Sequence, residues 1–106
     1  MKLVHLLAMT AALSVSASAF ASDEGEAVFK KSGCTTCHAV AKKVVGPALN
    51  SIAAKYAGDA GAQARLEKKV RNGGSGSFGS MPMPATGKNV SDADISTIVA
   101  WVLKQK

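Results

Sequence analysis

The sequence predicts an all-α domain, and three observations carry that reading. Apolar residues recur at helical spacing in several separated runs, capping residues stand at the ends of those runs, and no alternating run is long enough for a strand. The chain has 106 residues, enough for one small domain. Its 47% hydrophobic content excludes a disordered tail, but aromatics are only 5%. A chain of this size builds a core of marginal strength, and such chains commonly rely on a disulfide, metal, cofactor or partner. Two cysteines exclude a multi-disulfide scaffold and any four-thiolate site. The net charge of +6, from 13 Lys and Arg against 7 Asp and Glu, favours an anionic partner or surface.

The first 21 residues have the plan of a secretory signal. Met1 and Lys2 give a short positive start, Leu3 to Val15 is mostly apolar despite His5 and Thr10, and Ala19-Phe20-Ala21 supplies an A-x-A cleavage site. The apolar run is too short to span a bilayer, and no cysteine follows the cut to take a lipid. Residues 1–21 are therefore expected to be cleaved, leaving 22–106 as a single domain in a bacterial periplasm, an oxidising compartment. Cleavage removes His5, Met1 and Met9. His38 is then the only histidine, and Met81 and Met83 the only methionines.

Four helices follow in order. The first is expected from about Asp23 to Ser32, with Asp23 and Glu26 spaced as a D-x-x-E cap and Gly33 as its stop. The second starts at Pro47, carries Leu49, Ile52, Ala53 and Tyr56, and ends at Gly58. The third runs from about Ala60 to Asn72, with Gly73 after it. The last starts at Ser91, which with Asp94 forms an S-x-x-D cap. Ile95, Ile98, Val99, Val102 and Leu103 make its apolar face, with Trp101 near the edge. Between the third and last helices, Gly73 to Val90 is irregular and rich in glycine, with Pro82 and Pro84. So long an irregular stretch inside a small domain is usually functional. Gly74-Ser75-Gly76-Ser77-Phe78-Gly79 matches G-x-G-x-x-G, but a dinucleotide fingerprint needs a strand before it and a helix after it, and neither is expected.

Cys34-Thr35-Thr36-Cys37-His38 is C-x-x-C-H, the covalent haem attachment signature. Two thiols add to the two haem vinyl groups, a fixed distance apart, and the adjacent imidazole reaches the iron. A thioether is a soft neutral donor that could close the sixth position, and Met/His ligation raises the potential. The rival readings are weaker. A thioredoxin-like pair needs a βαβ context, structural zinc needs four Cys or His ligands, and a disulfide here would close too small a ring to stabilise much. A copper centre is possible by ligand type, but copper sites do not typically use this contiguous spacing. The chemistry alone leaves either Met81 or Met83 as the thioether.

The chain resembles the class I c-type cytochromes, and most of all the small bacterial cytochrome c-551 group. The matching strings are Gly25 and Phe29, Gly33 to Ala39, Val45-Gly46-Pro47-Ala48, Asn72 to Gly76, Met81-Pro82-Met83-Pro84 and Trp101-Val102-Leu103. The resemblance implies about four helices around one covalently attached haem c. It implies thioether links at Cys34 and Cys37, His38 as the proximal ligand, and the Pro47 carbonyl bonded to the His38 ring. Met83, the methionine between two prolines, is implied as the distal ligand. Phe78 stands where the family often has a Trp that bonds a haem propionate, which a phenyl ring cannot do. Lys69 matches a basic position that holds that propionate. Asn89 is the candidate for an Asn that donates to the methionine sulfur, on a link from Ala85 to Asn89 that is longer than usual.

The function implied is a diffusible periplasmic electron carrier rather than an enzyme. Its partners would be redox proteins such as a periplasmic reductase, a terminal oxidase or a quinol-oxidising complex. A monomer is expected, with no nucleic acid and no membrane span. Lys30, Lys31, Lys42 and Lys43 flank the attachment motif and could steer an acidic partner. The alternative is a gas-binding or sensor haem protein with an open distal site. A small peroxidase would want distal acid/base residues, and no second histidine remains.

Overall fold

The computed structural model describes the backbone of residues 18–106 and the side chains from Glu24 onward. The charged start and apolar run of the expected leader, with His5, Met1 and Met9, lie outside the described residues. Among the described residues four α-helices occur, α1 (Ser18–Lys31), α2 (Leu49–Lys55), α3 (Ala62–Asn72) and α4 (Asp92–Val102), with a short 3-10 turn over Cys34–Thr36. Among the described residues there is no strand, only two isolated bridges, His38 with Lys43 and Gly74 with Met83. The fold is the all-α one that the periodicity predicts.

Helix boundaries differ from expectation where the chain has other uses for its backbone. α1 continues through Asp23 back to Ser18, so no cap is made there. Ser18 to Ser22 contains no Gly or Pro, and nothing in it stops a helix. α2 starts at Leu49, not Pro47, because Ala48 is extended (φ −60°, ψ 143°). The Leu49 and Asn50 N–H groups donate back to the Ala39 and Val40 carbonyls at 2.9 and 3.0 Å. α2 ends at Lys55, with Tyr56–Gly58 already a turn. α3 starts at Ala62, because Asp59 bends the chain first: its carboxylate accepts from the Gly61 N–H at 2.9 Å and pairs with Arg65. α4 starts as predicted. Ser91 Oγ accepts from the Asp94 N–H at 3.0 Å, and Asp92 and Asp94 place negative charge in the first turn.

The core is built on α4. Ile95, Ile98, Val99, Trp101 and Val102 of α4 are buried with Phe29 of α1, Leu49 of α2 and Val90, and Leu66 and Val70 of α3 pack against them. Trp101 is therefore part of the core rather than at the edge of the apolar face. The reason is Gly25: a Cβ there would lie 2.3 Å from Trp101 Cβ and 2.7 Å from Cγ. Lacking that atom, α1 closes on α4, and the Phe29 and Trp101 rings meet at 5.1 Å with a 48° tilt. Gly25→Ala is expected to destabilise the haem-loaded protein by about 1–3 kcal/mol through overpacking. Denaturant unfolding checks this, with a lower midpoint at unchanged slope.

Candidate haem-binding site

The His38 segment is folded by its own backbone. The 3-10 turn closes with the Cys37 and His38 N–H groups both donating to the Cys34 carbonyl, at 3.2 and 3.0 Å. The chain then returns beneath the histidine, where the Gly46 N–H donates to the Cys37 carbonyl at 2.8 Å. His38 Nδ1 lies 2.8 Å from the Pro47 carbonyl oxygen. A carbonyl only accepts, so Nδ1 carries the proton and Nε2 keeps its lone pair, the tautomer that suits a metal-ligating imidazole. Gly46 makes this possible, since a Cβ there would come within 2.5 Å of His38 Cε1. Burial pushes the Cys34 thiol above its ordinary value, and charge on Cys37 adds to the rise. That is the reverse of the depressed pKa that thiolate redox chemistry needs.

The methionine segment is pinned to the end of α3. Gly74 and Met83 exchange two backbone hydrogen bonds, both 2.9 Å. Gly73, with φ 71°, faces the Met83 carbonyl so closely that a Cβ would lie 2.4 Å from that oxygen. Only glycine meets both demands. Between these anchors the loop turns at Ser77-Phe78, closed by the Gly76 N–H donating to the Gly79 carbonyl at 2.8 Å. The G-x-G-x-x-G string follows a helix and leads into Met81 to Pro84 without one, so it has no dinucleotide context.

Both segments open on one cavity of about 770 Å3. Cys34, Cys37, His38, Met81 and Met83 line it, together with apolar side chains of all four helices such as Phe29, Ile52, Leu66 and Val99. The donor set and the apolar walls fit a haem: two thiols, an imidazole with a free nitrogen, and a thioether. Among the described residues no group of three or more His, Cys, Asp or Glu side chains is placed to hold a metal ion.

The cytochrome c family model matches residues 22–106. The chain belongs to that family. It is 42% identical over 106 residues to cytochrome c-551 of Pseudomonas aeruginosa, covering 100% of both chains. It is 45% identical over 84 residues to cytochrome c-551 of Azotobacter vinelandii, covering 79% of this chain and 100% of that one. The crystal structure of Nitrosomonas europaea cytochrome c552 superposes with a TM-score of 0.73 at 47% identity, covering 76% of this chain and 99% of the other. This cytochrome is of class I, is a small electron carrier, and carries covalently attached haem c.

The other residues singled out in the sequence fare differently in this cytochrome. Lys69 lines the cavity, with Nζ 3.3 Å from where a Gly74 Cβ would stand. Phe78 lines it at 41% exposure. Asn89 does not reach it: the residue is exposed and its side-chain oxygen lies beside Gly87. The cause is the link itself, which is tied to α3 by the Thr86 N–H on the Val70 and Arg71 carbonyls and turns its buried side chain, Val90, into the core. Two residues escaped the sequence reading. Lys55 sets its ammonium 4.5 Å from the Phe78 ring centre and donates to the Ser77 carbonyl. Arg71 binds the link after Met83. Both contacts join residues 15 or more apart through exposed loops, and no periodicity encodes them.

The helices enclose a large volume that their own side chains leave open, and apolar walls without contacts on one side contribute little to stability. The haem-free chain is therefore expected to be largely unfolded. Far-ultraviolet circular dichroism checks this, and native-like helicity in the haem-free protein would count against it.

Proposed function

We propose that this cytochrome is a diffusible periplasmic carrier of single electrons, made with a signal peptide cleaved after Ala21. The family match beginning at residue 22 supports that boundary. Cys34 and Cys37 would hold haem c through two thioethers, and His38 Nε2 and Met83 are the residues that would ligate its iron. The observation that carries this reading is the convergence on one apolar cavity of the C-x-x-C-H turn and a methionine fixed by its backbone. Bound haem supplies a one-electron Fe(III)/Fe(II) couple whose potential is raised by Met/His ligation.

The chain's own residues hold that site rather than react in it. The Pro47 carbonyl fixes the imidazole plane through Nδ1. The paired bonds between Gly74 and Met83 hold the thioether in register. Met83 is half-buried, whereas Met81 is 64% exposed, which favours Met83 as the ligand and leaves Met81 at the rim. Lys69 supplies the cation for a haem propionate. Phe78 offers no donor there, so its part is apolar contact. With His38 and Met83 both available to the iron, the site would need no distal acid/base group, which favours a carrier over an enzyme.

Partner docking falls to one part of the basic surface. Lys42 and Lys43 are exposed at the cavity mouth beside the exposed Val44 and Val45. Lys30 is instead paired with Glu26 at 2.9 Å, and neither Lys30 nor Lys31 lines the cavity. Lys42 and Lys43 are the residues that steer an acidic redox partner, whether a reductase, a terminal oxidase or a quinol-oxidising complex. No helix among the described residues is long and apolar enough to cross a membrane.

The optical spectrum of the oxidised haem-loaded protein tests the ligand set. The weak long-wavelength Fe(III)–thioether band is expected, lost in Met83→Ala and kept in Met81→Ala. Rapid carbon monoxide binding by the reduced, unsubstituted protein would instead support an open, gas-binding site. For docking, the double change Lys42→Glu and Lys43→Glu is expected to slow electron transfer with an acidic partner by about tenfold at low salt. Stopped-flow rates should show the gap closing as ionic strength rises.

A further inference from the structure

We infer that Arg71 is the positioning residue that holds Met83 in place, a role that rests on Met83 being the distal ligand. Arg71 is on the last turn of α3, two residues before Gly73. Its two terminal nitrogens carry four N–H groups, and the structure gives all four an acceptor. Nη1 donates to the Thr86 and Gly87 carbonyls at 3.3 and 3.1 Å. Nη2 donates to the Val90 carbonyl at 2.8 Å and to Asp92 Oδ1 at 2.7 Å. The guanidinium thus spans the whole link from just after Pro84 to the first residue of α4.

This completes a grip on the methionine segment from both sides. Gly74 bonds Met83 itself while Gly73 admits its carbonyl closely, and Arg71 binds the chain that leaves it, with the Thr86 N–H returning to the Val70 and Arg71 carbonyls. Without the guanidinium, Pro84 to Gly87 would keep the shared Thr86 N–H bond to α3 and the Gly87 carbonyl's bond from the Val90 N–H, and Met83 would leave on a looser link. The carbonyl bonds matter more than the ion pair. Asp92 is 95% exposed, where a salt bridge is worth little, whereas the Arg71 side chain is only 26% exposed. Lysine keeps the charge but presents its donors from a single nitrogen, so it cannot span carbonyls this far apart along the chain.

The test is competition for the iron in the oxidised, haem-loaded protein. Imidazole is titrated against the Fe(III)–thioether band in Arg71→Lys, Asp92→Asn and Ile95→Val. Ile95→Val is a core truncation away from the cavity, and it controls for lost stability alone. Arg71→Lys is expected to bind imidazole about tenfold more tightly than the unsubstituted protein. The two controls should stay within about twofold. Amide hydrogen exchange at Met83 and Thr86 is expected to quicken in Arg71→Lys and not in Asp92→Asn. Unchanged imidazole affinity in Arg71→Lys, or an equal rise in Ile95→Val, overturns the inference. If Met83→Ala retains the band, the ligand assignment falls instead, and the exchange rates alone then decide whether Arg71 holds the segment.

Discussion

Among the described residues the three other α-helices all pack on α4, and that constraint orders the rest. α4 buries five side chains, and α1, α2 and α3 each contact it. The approach of α1 is set by one missing atom, the Cβ of Gly25, which lets Trp101 turn inward against Phe29. With α4 fixed, the C-terminal end of α1 delivers the Cys34 turn, and the C-terminal end of α3 delivers the methionine loop, to one cavity. The site is thus assembled by helix ends, while the helices themselves supply its walls.

The two segments, Cys34–His38 and Met81–Pro84, hold half-buried and exposed side chains and none that is fully buried. They are held by backbone hydrogen bonds made at close range. Gly46 closes on Cys37 and His38, and Gly73 and Gly74 close on Met83. At Gly46 and Gly73 the glycine admits an approach that any side chain would block. The physical consequence is local stiffness: the imidazole and thioether are positioned by short rings of bonds made at the ends of packed helices. That suits an electron carrier, in which the ligands should change little between two oxidation states.

The fold and the chemical centre were legible in the sequence for different reasons. The α4 face of Ile95, Ile98, Val99 and Val102 and the Ser91 cap follow from local periodicity and local capping, and both stand in the structure. Helix starts at Pro47 and Asp23 were misplaced because local signals ignore what else the backbone is doing. At Pro47–Ala48 the chain is extended to meet His38 and the Ala39 carbonyl, and at Asp23 the helix continues upstream. The C-x-x-C-H string was readable because its chemistry is contiguous. Lys55 on Phe78, and Arg71 on the link, were not, since each joins chain segments that become neighbours only after folding. Asn89 shows the converse: a plausible residue type at a plausible position lies exposed on a link that α3 holds.

α3 shows how much one short helix can carry when its faces are used separately. Leu66, Lys69 and Val70 follow the i, i+3, i+4 rule and face the cavity. Leu66 and Val70 add to its apolar wall, and Lys69 brings the one cation of that face to the loop beside Gly74. Arg71, a further 100° around the axis, leaves the cavity and reaches the link instead. Gly73 then ends the helix in a conformation that also admits the Met83 carbonyl. Within one turn, therefore, the chain completes a wall, places a charge, grips the segment that follows the methionine and stops. A shift of the α3 register by one residue would rotate all of these together, so the position of the thioether is coupled to the packing of α3 on α4.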